Sequence, residues 1–438
     1  MLNSHSHLIR MLTFGIFIWF TGSVAQAQIT ARDFYARAQM RHDRGDLEGA
    51  LADYSRAILI NPRLAEAYNN RGAARSSQGD LEGALADFES ALAINRRYAE
   101  AFYNRGIIRQ KKDDLEQALD DYNIAIRLKP GLIGPWTNRG GIRYLKGDLE
   151  GAISDYDQAI VFADKTKTDS WRLSVSNPDL AEVYSNRGLA WQTKGDLQKA
   201  LADYDHALEI NPRLANAYVC RGMARFLAGS VDRAMADFDQ AIKIEPHFGK
   251  AWNNRGMARH AQGDMDGALA DFDRAIALIP RNAIFWSNRG AVWQSKGNLI
   301  KAMSDYNQAI ALDPNYADVW FNRGNARQDT GDFEGAISDY TRAIRLDPRL
   351  AMAYNNRGNA RRATGGVTGA IEDYDQALVI DPRLSLAYAN RGITRLLQGN
   401  ESAAQRDFEQ CLKLDPAFKS ELESLIRSAR QSLGQNMK

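Results

Sequence analysis

A chain of 438 residues, 45% apolar and 25% charged, has the composition of a soluble folded protein, long enough for two or three ordinary domains or one repetitive one. Its 56 basic and 54 acidic residues leave a formal net charge of +2 and are spread evenly, which argues against nucleic acid or a membrane surface as partner. Two cysteines, Cys220 and Cys411, are too few for a disulfide scaffold.

Residues 1–10 are polar with one basic residue, Arg10, and residues 11–24 (MLTFGIFIWFTGSV) are apolar. Ala25-Gln26-Ala27 then offers small residues at alternate positions. This predicts a secretory signal peptide over 1–27, cut after Ala27, because the apolar run is shorter than the ~20 residues a span requires. The mature chain is expected to be exported, periplasmic or secreted, with no membrane insertion after cleavage. An uncleaved N-terminal anchor is the alternative.

From residue 31 the chain repeats. Arg-Gly pairs recur every 34 residues, at Gly72, Gly106 and Gly140, then at Gly188, Gly222, Gly256, Gly290, Gly324, Gly358 and Gly392. The step from Gly140 to Gly188 is 48, which places 14 inserted residues between the two series. Eleven repeats begin at Ala31, Ala65, Ala99, Ile133, Ala181, Ala215, Gly249, Ala283, Ala317, Ala351 and Ser385, and positions below are counted from those starts. A period of this size predicts stacked helical hairpins.

Within each repeat the letters have physical reasons. Position 4 is aromatic, position 24 is Tyr or Phe and position 20 is Ala in all eleven, while position 8 is Gly in ten. Small residues let two helices approach and the rings fill the space between them. Gly at position 15 suits a left-handed turn, Asp, Asn or Ser at position 16 a helix cap, and Pro at position 32 a stop. The pattern resembles the tetratricopeptide repeat (TPR) family across residues 31–418. The resemblance implies an all-α, right-handed superhelical solenoid of about eleven hairpins, each with helices A and B. Repeats 1–4 would occupy 31–166, an insertion 167–180, repeats 5–11 181–418, and a C-terminal capping helix 419–438. Leu422, Leu425, Ile426 and Leu433 share one side of that helix. The insertion reads as a surface loop, or else as a hinge or contact site anchored by Trp171.

Three neighbouring letters, Asn-Arg-Gly at positions 6 to 8, divide their roles. On helix A, positions 4, 7, 8 and 11 share the packed face and positions 2, 5, 6, 9, 12 and 13 the opposite one, which in the family lines the concave groove. Position 7 is Arg and position 23 is Asp in every repeat, so a structural ion pair is expected, within a hairpin or between adjacent ones. Arg71 with Asp87, Arg323 with Asp339 and Arg357 with Asp373 are examples. Position 6 supplies Asn70, Asn104, Asn138, Asn186, Asn254, Asn288, Asn322, Asn356 and Asn390, with Ala36 and Cys220 the exceptions. An amide offers donors and an acceptor to a peptide backbone whatever its sequence. The row resembles the asparagine ladder of O-linked sugar transferases, which implies binding of extended peptide; bonding among neighbours is the structural alternative. The other groove positions, above all position 5, would set selectivity. Apolar patches at Val219, Met223, Phe226 and Leu227 and at Leu386, Ile393, Leu396 and Leu397 would seat a partner or a second copy. Position 5 is never Lys, so the carboxylate clamp of some relatives is missing.

No constellation looks catalytic, no His/Cys/Asp cluster has zinc-ligand spacing, and the glycines form no phosphate loop, so neither enzyme activity nor a cofactor is expected. The sequence therefore reads as a scaffold or adaptor binding protein or extended peptide segments in the bacterial cell envelope. Self-assembly into a structural homo-oligomer is the runner-up.

Overall fold

A computed structural model describes residues 30–166 and 180–436. The predicted signal peptide over 1–27 and the insertion, save Leu180, lie outside the described residues, as does Trp171. The chain divides between residues 178 and 179 into two compact bodies. The first holds four hairpins: α1 (Ala31–Asp43) with α2 (Leu47–Ile60), α3 (Ala65–Ser77) with α4 (Leu81–Ile94), α5 (Ala99–Lys111) with α6 (Leu115–Leu128), and α7 (Ile133–Leu145) with α8 (Leu149–Thr166). The second begins with α9 (Leu180–Lys194) and α10 (Leu197–Ile210), α11 (Ala215–Leu227) and α12 (Val231–Ile244), and α13 (Gly249–Ala261) and α14 (Met265–Leu278). It continues with α15 (Ala283–Ser295) and α16 (Leu299–Leu312), α17 (Ala317–Asp329) and α18 (Phe333–Leu346), α19 (Ala351–Ala363) and α20 (Val367–Ile380), and α21 (Ser385–Leu397) and α22 (Glu401–Leu414). A 3-10 turn, Pro416–Phe418, leads to α23 (Lys419–Asn436). The described residues are thus an all-α solenoid, hairpin after hairpin.

Local chemistry sets each bend. Ten glycines at position 15 have φ between +74° and +96°, and the eleventh residue there, Asp113, sits at +64°. Helix B then starts on a side-chain cap, as where Asp332 Oδ1 accepts from the Gly335 N–H at 2.9 Å. Ser230 and Gly366, at the same position, make no such bond.

Each A helix packs on its own B helix and, within a body, on the B helix before it. Successive A helices of one body also touch one another, whereas no two B helices of a body meet comparably. Within each body the stack therefore curves with its A helices on the inner side. At the C-terminal end, α23 lies against α21, with Leu422 and Ala429 buried and Ile426 partly so. Leu425 is 39% exposed, so the covered face runs through Ala429 and not through Leu425.

Candidate functional site: the inner face of the A helices

The arginine letter builds the wall behind the inner face. In every repeat the position 7 guanidinium forks onto the position 23 carboxylate of its own hairpin, through Nε and Nη2 at 2.6–3.1 Å. Arg71 thus holds Asp87, Arg323 holds Asp339 and Arg357 holds Asp373. The guanidinium also lies over the position 4 ring of its own helix, 4.7–5.5 Å from the centroid. In eight repeats its remaining nitrogen, Nη1, reaches back to position 25 of the preceding hairpin, as where Arg323 donates to Asn307 Oδ1 at 2.7 Å and Arg391 to Asp375 Oδ1 at 2.5 Å. One side chain thereby closes a hairpin and ties it to its neighbour.

Position 11 supplies a second cation to the same carboxylate, as where Arg361 Nη1 stands 2.9 Å from Asp373 Oδ2. Two repeats have tryptophan there, and both place a lysine at position 19 over the ring: Lys199 Nζ lies 4.2 Å from the centroid of Trp191, and Lys301 Nζ 4.1 Å from that of Trp293. The positive charge moves from one helix to the other and stays beside the margin.

The glycine letter makes room. A Cβ on Gly324 would stand 2.6 Å from Tyr340 Cε1, and one on Gly222 2.5 Å from Phe238 Cε1. That closeness lets the position 24 ring reach through the hairpin toward the inner face. In five of the seven repeats with tyrosine at position 24, the hydroxyl donates to a side chain on its own A helix: Tyr122 to Gln110 at 2.8 Å, Tyr204 to Gln192 at 3.0 Å, Tyr306 to Gln294 at 2.9 Å, Tyr340 to Asn325 at 2.8 Å and Tyr374 to Asn359 at 2.8 Å; the buried Tyr54 hydroxyl has no such partner. Burial raises the Tyr306 and Tyr340 phenols, so they remain donors at ordinary pH.

All nine position 6 asparagines are half-buried on A helices, three in the first body and six in the second. Several amides are partly engaged with their neighbours. Asn70 Nδ2 donates to Tyr35 Oη at 2.9 Å, Asn104 Nδ2 to Asn69 Oδ1 at 3.0 Å and Asn138 Nδ2 to Tyr122 Oη at 3.3 Å. Asn288 Nδ2 donates to Asn253 Oδ1, Asn356 Nδ2 to Asn325 Oδ1 and Asn390 Nδ2 to Asn355 Oδ1, each at 2.9 Å. Asn254 accepts from Asn253 Nδ2 at 3.1 Å. Asn186 and Asn322 bond no described side chain. One donor is used at most of these positions, which leaves a second N–H on each and a carbonyl on Asn104, Asn288 and Asn390. Cys220, the exception in the second body, packs in a small apolar cluster with Tyr204 and Ala224, and burial pushes its thiol up to about 11.

Two sequence expectations need correction. In nine of the eleven repeats position 5 does not line the inner face: Asn69, Tyr103, Thr137, Ser185, Val219, Asn253, Ser287, Asn355 and Ala389 are at most 5% exposed, while Tyr35 and Phe321 are half-buried. The curvature presses that flank of each A helix onto the next one. Its asparagines work as relays; Asn355 donates to Asn356 Oδ1 at 3.0 Å and accepts from Asn390. The apolar patches also shrink. Val219 is buried, and Ile393 and Leu396 are 6% and 2% exposed in one cluster with Leu422 of α23, while Leu227, Leu386 and Leu397 stay exposed.

Among the described residues no helix is long and apolar enough to cross a membrane, and no three His, Cys, Asp or Glu side chains gather to hold a metal. Family models described as TPR repeat match residues 38–78, 74–113 and 294–331, and those described as tetratricopeptide repeat match 99–132, 181–214, 249–282, 321–384 and 386–418. A search of the curated proteins finds no match. Among solved structures, the APC/C hetero-tetramer Cut9–Hcn1 is similar at 15% identity and a TM-score of 0.51, over 92% of this chain and 90% of that one. Yeast Tom70 gives 16% and 0.45 over 93% and 96%, and a tetratricopeptide repeat protein from Parabacteroides merdae 22% and 0.48 over 60% and 98%. At such identities the likeness is one of fold.

Proposed function

Since this chain is a tandem array of tetratricopeptide repeats, we propose that it is a non-enzymatic scaffold or adaptor, exported to the bacterial envelope, that holds protein segments in extended form along its A helices. One observation carries this reading: the same amide recurs at the same place on the inner face of consecutive A helices, with donor and acceptor capacity left over. Arginine clamps fix the spacing of those amides before any ligand arrives, which lowers the ordering cost of binding. Affinity would then come from many modest contacts and depend little on ligand sequence. Self-assembly is less well supported, because α23 already covers Ile393 and Leu396.

The test is capture of random nine-residue peptides on the chain lacking residues 1–27. Wild type is compared with the double variant Asn186→Ala, Asn322→Ala, whose amides bond no described side chain and whose loss therefore leaves the wall intact. Capture is expected to fall several-fold in the variant. Undiminished capture would remove the ladder from the mechanism, and light scattering that shows association with rising concentration would favour the homo-oligomer.

A further inference from the structure

Four repeats lack the tyrosine hydroxyl on the inner face. Position 24 is Phe88, Phe238, Phe272 or Phe408, and position 12 in those same repeats is Ser76, Phe226, His260 or Leu396, never glutamine. In the last of them the chain covers the apolar floor itself, with Leu422 and Ile426 of α23 set against Ile393, Leu396 and Phe408. Repeats 6 and 7 have a comparable floor, from Met223, Phe226 and Phe238 and from Met257 and Phe272, but there it stays open. Between α11, α13 and α15 lies a notch of about 360 Å³ lined by Phe226, Met257, His260, Phe272, Asn288 and Ala291.

The rim of this notch is built. Asn253, 4% exposed, uses both N–H groups, one on Asn254 Oδ1 at 3.1 Å and one on Met257 Sδ at 3.6 Å, and its carbonyl accepts from Asn288 at 2.9 Å. One buried amide thus orients two ladder asparagines and the thioether between them. Neighbouring A helices stand about 10 Å apart, roughly three residues of extended chain at ~3.3 Å each. A segment bonded through its backbone to Asn254 and Asn288 would carry its intervening side chains over the notch. A helical ligand, with its backbone bonded internally, would leave those amides unused.

The geometry points to a side-chain pocket in repeats 6 to 8 that takes one large apolar residue, Leu, Met or Phe, of an extended peptide whose backbone lies on Asn254 and Asn288. This inference rests on the peptide reading above and adds a sequence preference to it. The ladder sets where the backbone runs, and the notch sets which register it takes.

Two pools of nine-residue peptides test it, with identical random flanks and the central residue fixed as Leu, Met or Phe in one and as Ser or Gly in the other. Wild type is expected to retain the apolar pool about tenfold better, the factor that burying one such side chain provides. Ala291→Trp fills the notch. The double change Phe272→Tyr, His260→Gln rebuilds the bridge that Tyr306 and Gln294 already make in repeat 8, so it guards against a variant that fails to fold. In both, the ratio is expected to fall close to one while capture of the polar pool is unchanged. Equal retention by wild type, or a ratio that survives in the rebuilt-floor variant, overturns the pocket and leaves the ladder standing. Retention of neither pool by wild type overturns both.

Discussion

Consider Asp339→Ala in repeat 9. The Asp339 carboxylate is 1% exposed and accepts from Arg323 Nε at 2.8 Å and Nη2 at 2.7 Å, with Arg327 Nη1 at 3.2 Å. Removing it leaves Arg323, whose side chain is 12% exposed, with a fork that has lost its partner; Nη1 keeps its bond to Asn307. Each charge-assisted bond contributes about 1.5–3 kcal/mol net. Arg327, 25% exposed, can swing to water, so its share is partly recovered. The expected loss is therefore about 3–5 kcal/mol, the range for orphaning a buried charge. Arg327→Ala removes the longest of the three contacts to Asp339, the bond to Gly335 O at 3.0 Å and an exposed pairing with Asp332, and should cost about 1–2 kcal/mol. Because repeat arrays open locally, the measurement is amide exchange over α17 and α18 together with urea unfolding followed by helix content. A loss below about 1 kcal/mol, no larger than that of the exposed control Asp318→Ala, would refute the view that these clamps hold the wall.

Three further outcomes are open to measurement. Gly324→Ala should cost about 1–3 kcal/mol of stability and lower the melting temperature, because its Cβ would meet Tyr340 at 2.6 Å; Gly141→Ala, whose nearest contact is 3.9 Å away, should add about 0.5–1 kcal/mol and raise it. A double-mutant cycle of Tyr306→Phe and Gln294→Leu should show coupling of about 0.5–1.5 kcal/mol, isolating their bond from the one Gln294 gives Asp329, and additive effects would deny the bridge. Burial lowers His260 from 6.5, so the unfolded chain takes its proton first as pH falls. Stability from this group is complete above 6.5 and is lost as pH drops from there to the folded midpoint; NMR titration should find that midpoint below 6.5, and lower still in Ala291→Trp.

Recurrence made much of this readable. Arg at position 7, Asp at 23 and Gly at 8 appear so regularly that a pairing and a close approach could be read from sequence, although only coordinates fix Asp339 as the partner of Arg323 inside one hairpin. Position 5 was misplaced because a helical wheel separates packed from open faces but cannot say which flank the next A helix covers; Asn253 looks identical in either setting. Two signals went unread. Position 25 carries a side-chain oxygen in every repeat, from Ser55 to Glu409, and in eight of them Nη1 of the next repeat donates to it. Glutamine occurs at position 12 only where position 24 is Tyr, which is the trace of the bridge. Both lie in correlations between columns, which a column-by-column reading passes over.

The Nη1 tie to the preceding hairpin has a consequence for how such a chain changes over time. Donor and acceptor stand at fixed places in the period, so the seam between repeats 8 and 9 demands the same chemistry as that between 10 and 11. Excising residues 317–350, one whole period, would bring Arg357 against Asn307 in place of Thr341 and strand neither. Links of this kind are interchangeable, and reach can be lengthened or shortened by duplication or loss without redesigning a single joint.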